Sequence, residues 1–205
     1  MGFLCKEELG YDKIIFIYDF CSGRWKRGAD LPDNRYLFGC LVDSTKRLIY
    51  IAGGSDNNDQ ILLTAAVYSI EKHKWEYLPP IIWGDYACHC VFDDNKLYVM
   101  NRHIIGGFVQ CYDPNTRLWR GMTGFHGFTY PNLRVGSTCH TLTAFGRLFY
   151  SCKGKVIEFD KVENRFHLVG TQCPQFFIVN GMTMWHGQIV ICGRITGGGT
   201  AFLSV

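Results

Sequence analysis

The stretch Leu48-Ile49-Tyr50-Ile51-Ala52-Gly53-Gly54, followed by Tyr68-Ser69 and then Trp75, decides how the rest of the chain is read. A short apolar run that stops at a glycine pair reads as a strand. The glycines mark a backbone path that a side chain would block. Tyr68 and Trp75 are seven positions apart, and the same spacing joins Tyr18 to Trp25, Tyr112 to Trp119 and Phe159 to Phe166. The first aromatic is followed by Asp19, Ser69, Asp113 or Asp160. The four copies recur at intervals of 50, 44 and 47 residues. One internal spacing at a near-constant period is the signature of a repeat architecture.

Each later copy has two strand-like runs upstream: 38–42 and 48–52, then 87–92 and 96–100, then 137–144 and 147–152. Turn residues separate the runs: Asp43-Ser44-Thr45, Asp93-Asp94-Asn95 and Gly146. The first aromatic of the pair then sits on a third strand and the second on a fourth, with a turn such as Asp113-Pro114-Asn115-Thr116 between them. No helical periodicity competes with this pattern. Four short antiparallel strands per repeat predict an all-β propeller. The expected blades cover about 31–76, 78–120 and 130–167, with partial blades at about 10–27 and 176–205.

Composition agrees. The 205 residues include 23 Gly, 15 Phe, 11 Tyr and 5 Trp, a mixture suited to strands and tight turns. Only 19% are charged and 47% are hydrophobic, which excludes global disorder. A net charge of +3 without basic clusters gives no reason to expect nucleic acid. The apolar runs are too short for a membrane-spanning helix. Residues 1–10, MGFLCKEELG, lack the apolar core of a signal peptide, and Lys6 stands where a myristoylation motif wants Ser or Thr. Ten cysteines fall below the density of a disulfide scaffold. The expectation is a reduced protein of the cytoplasm, the nucleus or both.

No Trp here is followed by Asp, so the blades are not of the Trp-Asp type. The order Gly53-Gly54, Tyr68, Trp75 resembles the kelch repeat instead. The resemblance extends to Tyr18-Asp19-Phe20, Ser22-Gly23-Arg24-Trp25, Arg27-Gly28-Ala29-Asp30-Leu31-Pro32 and Ile49 to Gly54, which look like plant F-box/kelch proteins. Within that family the subgroup that recruits phenylpropanoid-pathway enzymes for ubiquitination is the most similar. Lys155-Val156-Ile157-Glu158-Phe159-Asp160 and 165–169 look like the penultimate blade. The resemblance implies a non-enzymatic substrate-recognition module of an SCF-type ubiquitin ligase, with a protein target such as a metabolic enzyme or regulator. An F-box, which would bind a SKP1-type adaptor, is not recognised in the sequence. The partial blades at both ends lead to the expectation of a truncated form or fragment, with open edges unless a partner covers them.

Most distinctive residues read as structural. Tyr18, Trp25, Tyr68, Trp75, Tyr112, Trp119, Phe159 and Phe166 are expected to fill the space between blades. Cys88-His89-Cys90 tempts a metal reading, but on a strand the cysteines and the histidine point to opposite faces. No second ligand pair stands at zinc spacing. Cys40, Cys90 and Cys139 each precede Leu48, Leu97 or Leu148 by seven to nine residues and read as small buried hydrophobes. No metal or cofactor is expected. No nucleophile elbow or phosphate loop is present, since Gly197-Gly198-Gly199 lacks the Lys-Ser/Thr that must follow. His73, His126, His167 and His186 have no carboxylate partner visible in sequence. Catalysis is not expected.

A binding face remains. In a blade of alternating strands, the loops after the second and fourth strands share one rim. Those loops are 32–37, 55–61, 79–86, 101–107, 123–134 and 153–155. Arg35 and Arg134 occupy similar places after Pro32 and Pro131, and Trp83, Asp85 and Tyr86 occupy the corresponding loop between them. The resemblance implies that such arginines grip acidic groups on a target. The competing reading is that they cap the carbonyls of neighbouring loops. Two other functions remain open: a kelch scaffold unrelated to ubiquitin, and an enzyme built on a propeller.

Overall fold

The repeat becomes four turns of the same kind. In the computed structural model, β1 (Phe16–Asp19) pairs with β2 (Arg24–Arg27), setting Tyr18 directly opposite Trp25. β5 (Ala65–Ser69) and β6 (Lys74–Leu78) set Tyr68 opposite Trp75. β9 (Phe108–Asp113) and β10 (Leu118–Met122) set Tyr112 opposite Trp119. β13 (Lys155–Asp160) and β14 (Arg165–Leu168) set Phe159 opposite Phe166. The ring centroids of the four pairs lie 5.0, 5.1, 5.1 and 4.8 Å apart. The seven-residue spacing is therefore a cross-strand pair closing a hairpin.

The residue after the first aromatic shapes that hairpin. Asp19 accepts bonds from the amides of Cys21 and Ser22, Asp113 from Asn115, and Asp160 from Val162 and Glu163. Ser69 Oγ does the same for Lys72. These are turns capped by a short polar side chain. Each ends in a left-handed residue just before the fourth strand: Gly23, His73, Arg117 or Asn164, with φ of 65°, 51°, 57° and 53°.

The described residues are 13–85, 88–101, 108–122, 140–152, 155–169, 177–195 and 200–204. Among them every regular element is a strand. No described helix is long and apolar enough to cross a membrane. The remaining strands are β3 (Gly39–Asp43), β4 (Leu48–Ala52), β7 (Cys88–Asp93), β8 (Lys96–Asn101), β11 (His140–Ala144), β12 (Arg147–Cys152), β15 (Phe177–Trp185), β16 (Gln188–Ile195) and β17 (Thr200–Ser204). The sheets run β1-β2, β3-β4-β5-β6, β10-β9-β8-β7, β11-β12-β13-β14 and β15-β16-β17. Three are four-stranded meanders in sequence order, the blade of a kelch-type propeller, with partial sheets before and after them.

The chain forms two compact units, Met1–Cys88 and His89–Val205. In the first, Leu31, Ile51 and Ala66 form a core on which Ile15, Phe38, Cys40 and Trp75 pack. In the second, Tyr98, Met100, Val109 and Cys111 of one blade meet Leu148, Tyr150, Ile157, Phe159 and Phe166 of the next. Thr141 and Thr143 on β11 also donate to the carbonyls of Cys90 and Phe92 on β7. Ala144, Phe149 and Val156 then meet Ile189 and Ile191 of the last sheet. The inner strand β12 of the blade between them buries Leu148, Phe149 and Tyr150 in succession, so this part of the strand is a continuous apolar run rather than an alternating one.

One structural expectation is corrected. Tyr68, Tyr112, Phe159 and Phe166 are buried, but Tyr18 is 39% and Trp25 68% exposed. This pair packs its rings on each other and, through Tyr18, on Phe20.

Candidate functional site

Three loops of the first unit converge on one rim: 32–38, 53–64 and 79–85. The glycine pair makes the convergence possible. Gly53 and Gly54 have φ of 63° and 87°. A Cβ on Gly53 would stand 2.4 Å from Cys88 Sγ, and one on Gly54 would stand 2.4 Å from the Tyr36 carbonyl oxygen. Only a bare backbone admits both neighbours. Tyr36 and Ser55 then exchange two backbone bonds, of 2.9 and 3.0 Å. Ser55 also pairs with Ile61, so three short segments lie side by side. The Leu62 amide donates to Gly54, the Ile81 amide to Leu63 and the Cys88 amide to Leu37. Every loop is thus tied by backbone bonds to the next.

Arg35 locks this arrangement from beneath. Its Nη1 donates to the carbonyls of Gly53 and Thr64, both at 3.2 Å. Its Nη2 donates to Asp33 Oδ2 at 2.6 Å and to Thr64 Oγ1 at 2.7 Å. The Thr64 hydroxyl donates onward to Asp33 at 3.1 Å, and the Tyr77 phenol donates to the other Asp33 oxygen at 2.7 Å. Burial alone would raise the Asp33 pKa. The bonds from Tyr77, Arg35 and Thr64, with the charge of Arg35, outweigh it and hold the carboxyl below its ordinary value. Asp33 in turn pushes the Tyr77 phenol up.

The expected binding residues fall out differently. The side chain of Arg35 is 0% exposed, so it takes the carbonyl-capping role and offers no guanidinium to a target. Asp85 is also buried, so its carboxylate is no surface contact either. Trp83 is half-buried. Tyr86 and Arg134 lie outside the described residues.

What the rim does present went unpredicted. Leu37 is 56%, Ile61 42%, Leu63 47% and Ile82 44% exposed. Gly84 explains how Ile61 and Leu63 lie on the neighbouring loop: a Cβ there would meet Ile61 Cγ2 at 2.5 Å and Leu63 Cδ2 at 2.8 Å. Beside them the Tyr36 phenol donates to Asp59, while Asp56 caps the amides of Asn58 and Gln60. The signal available in sequence was Ile-Leu-Leu at 61–63, an apolar run in a loop.

Of the cysteines expected to be buried, Cys90 is buried and Cys40 half-buried, and Cys139 lies outside the described residues. Cys88 and Cys90 are buried and His89 between them is partly exposed, the expected alternation. Burial pushes the Cys88 thiol up to about 11, which leaves it unreactive. Cys21, Cys40, Cys88, Cys90, Cys111 and Cys192 are all free thiols. One His–carboxylate grouping escaped the sequence reading. Asp160, Glu163 and His167 bring ligand atoms within 4.8 Å of one another, and His167 Nε2 stands 3.5 Å from Glu163. These groups already have partners. Asp160 caps its own turn, and Arg165 is paired with Glu163 and bonded to His167.

Residues 37–81 match the family described as Kelch motif. That span runs from Leu37 through Gly53-Gly54 and the Tyr68–Trp75 pair to Ile81. The chain is 25% identical over 192 residues to an F-box/kelch-repeat protein of Arabidopsis thaliana, covering 88% of this chain and 51% of that protein. It is 30% identical over 164 residues to the F-box/kelch-repeat protein SKIP20 of the same plant, covering 72% of this chain and 38% of that one. It is also 27% identical over 114 residues to Kelch-like protein 40 of Xenopus laevis, covering 54% and 18%. The chain thus spans about half, or less, of the length of these relatives. Residues 37–81 thus carry a kelch motif, in an all-β chain whose four-stranded sheets are kelch-type blades and whose sequence is similar to plant F-box/kelch-repeat proteins.

Proposed function

We propose that this chain is a non-catalytic protein-recognition module that binds its target through the rim loops of the first unit, as the substrate-binding portion of an SCF-type ubiquitin ligase adaptor. The observation that carries the reading is the rim itself. Exposed Leu37, Ile61, Leu63 and Ile82 sit on loops braced by Gly53, Gly54 and the buried Arg35. Aliphatic side chains held outward on a rigid scaffold are suited to burial by a partner. The names of the plant relatives support the ubiquitin assignment. The match to an animal kelch-like protein favours a second reading, a kelch scaffold without a ligase role.

The test expresses the chain in plant cells with and without an F-box fused ahead of it. Captured proteins are quantified with and without proteasome inhibitor, and Ile61→Ser/Leu63→Ser serves as the rim variant. A captured protein that the rim variant loses, that falls with the fusion and recovers with inhibitor, supports the adaptor. Rim-dependent capture without a change in level supports the scaffold. Capture that ignores the rim variant rejects both.

A further inference from the structure

We infer that the rim of the first unit selects a basic protein segment, one carrying lysine or arginine beside aliphatic side chains. The inference rests on the protein-recognition reading above and adds the partner's chemistry. It also reverses the expectation from sequence, in which arginines on this rim would grip acidic groups.

The argument starts from charge. Loops 32–38, 53–64 and 79–85 contain one cation, Arg35, and four acidic residues, Asp33, Asp56, Asp59 and Asp85. Arg35 is wholly buried and its charge is met by Asp33 at 2.6 Å. The pair is close to neutral as seen from outside. Asp85 is buried as well. The charges left to the surface are Asp59, which is exposed, and Asp56, which is partly so. These loops contain no further lysine or arginine. Both carboxylates sit on the 55–61 loop, held by the Tyr36 phenol and by the amides of Asn58 and Gln60. Those neutral donors fix the carboxylates without cancelling their charge.

The apolar half adjoins the charged half. Ile61 follows Asp59 by two residues, and Ile61 and Leu63 lie over Gly84, two residues beyond Ile82. The bonds of Ser55 to Tyr36 and of Ile81 to Leu63 hold the two halves in register. A partner must therefore offer aliphatic area to Ile61, Leu63 and Ile82 and positive charge to Asp56 and Asp59. Lysine and arginine do part of both, because their stems pack on apolar surface while their heads reach a carboxylate. A second copy of this rim is a poor occupant, since it would set acidic loop against acidic loop.

The test selects binders from a random peptide display library on the immobilised full chain. The Ile61→Ser/Leu63→Ser and Asp56→Lys/Asp59→Lys variants are run in parallel, each first checked for an unchanged melting temperature. The expected result is a set of peptides rich in Lys or Arg with Leu, Ile or Val, bound roughly tenfold or more weakly by the serine variant. Their affinity should fall as salt is raised, and the lysine variant should select acidic peptides instead. Rim-dependent peptides that are acidic or uncharged overturn the inference and leave protein recognition standing. Self-association of the chain that the serine variant abolishes also overturns it, with a second copy as the occupant. Peptides that bind the serine variant as well as the wild type overturn the protein-recognition reading itself.

Discussion

Arg35 Nη2 and Asp33 Oδ2 stand 2.6 Å apart, with the arginine side chain fully enclosed and the aspartate 27% exposed. A guanidinium so placed is a fastener for the loops above it. It holds both ends of the 53–64 loop, at Gly53 and Thr64, together with Asp33 of the 32–38 loop.

Arg35→Ala should therefore act on stability first. Removing one member of a mostly buried pair leaves Asp33 without its countercharge and takes a donor from the Gly53 and Thr64 carbonyls, at a cost of about 3 kcal/mol or more. For a chain of this length that lowers Tm by roughly 6–12 °C. Calorimetry on the variant checks it. A Tm within a degree of wild type would show that the guanidinium holds nothing.

The same network predicts an acid-sensitive element. Asp33 is held below its ordinary value of 3.8. A carboxylate whose folded pKa is depressed contributes stability above its unfolded pKa and loses it as pH falls through the folded value. Wild type should thus exceed Asp33→Asn in Tm at neutral pH, and the gap should close below about pH 4. A gap that stays constant down to pH 3 would assign the effect to packing.

Two glycines with similar backbone angles should respond differently. Gly54 has φ of 87° and Gly146 of 70°. A Cβ on Gly54 meets a carbonyl at 2.4 Å, whereas one on Gly146 meets nothing within 4 Å. Gly146→Ala should cost only the left-handed backbone term, about 1–2 kcal/mol. Gly54→Ala adds a backbone clash and should cost about 1–3 kcal/mol more. Denaturant titration separates them, and equal losses would contradict the close approach at the rim.

The repeated aromatics divide in the same way. Phe159 is 1% exposed inside the shared core of two blades, so Phe159→Ala should cost roughly 3–5 kcal/mol. Trp25, at 68% exposed, should cost below about 1 kcal/mol when replaced by Ala. Matched losses would mean that Trp25 is covered in solution.

These contrasts mark what a sequence could reveal here. The Tyr68–Trp75 spacing was legible because a cross-strand pair and its capped turn are local, fixed by the residues between them. The blade count of the middle region followed from it. The orientation of Arg35 was not legible, because it depends on Gly53 and on Thr64, 29 residues away, which accept its bonds. Whether an aromatic is buried was not legible either. Trp25 and Trp75 share one local pattern and differ only in what packs upon them. The exposed aliphatic residues at 61 and 63 were hidden by the habit of assigning apolar runs to cores.

The measurement closest to the central claim is photo-crosslinking from the rim. A crosslinking amino acid is placed at Leu63 in one form of the full chain and at Lys72, an exposed turn residue outside the rim loops, in another. Each is irradiated in plant extract, and adducts are identified by mass spectrometry. The account predicts a discrete protein adduct from position 63 that position 72 does not give. Adducts from position 72 alone, or the same adducts from both, would contradict a binding face on this rim.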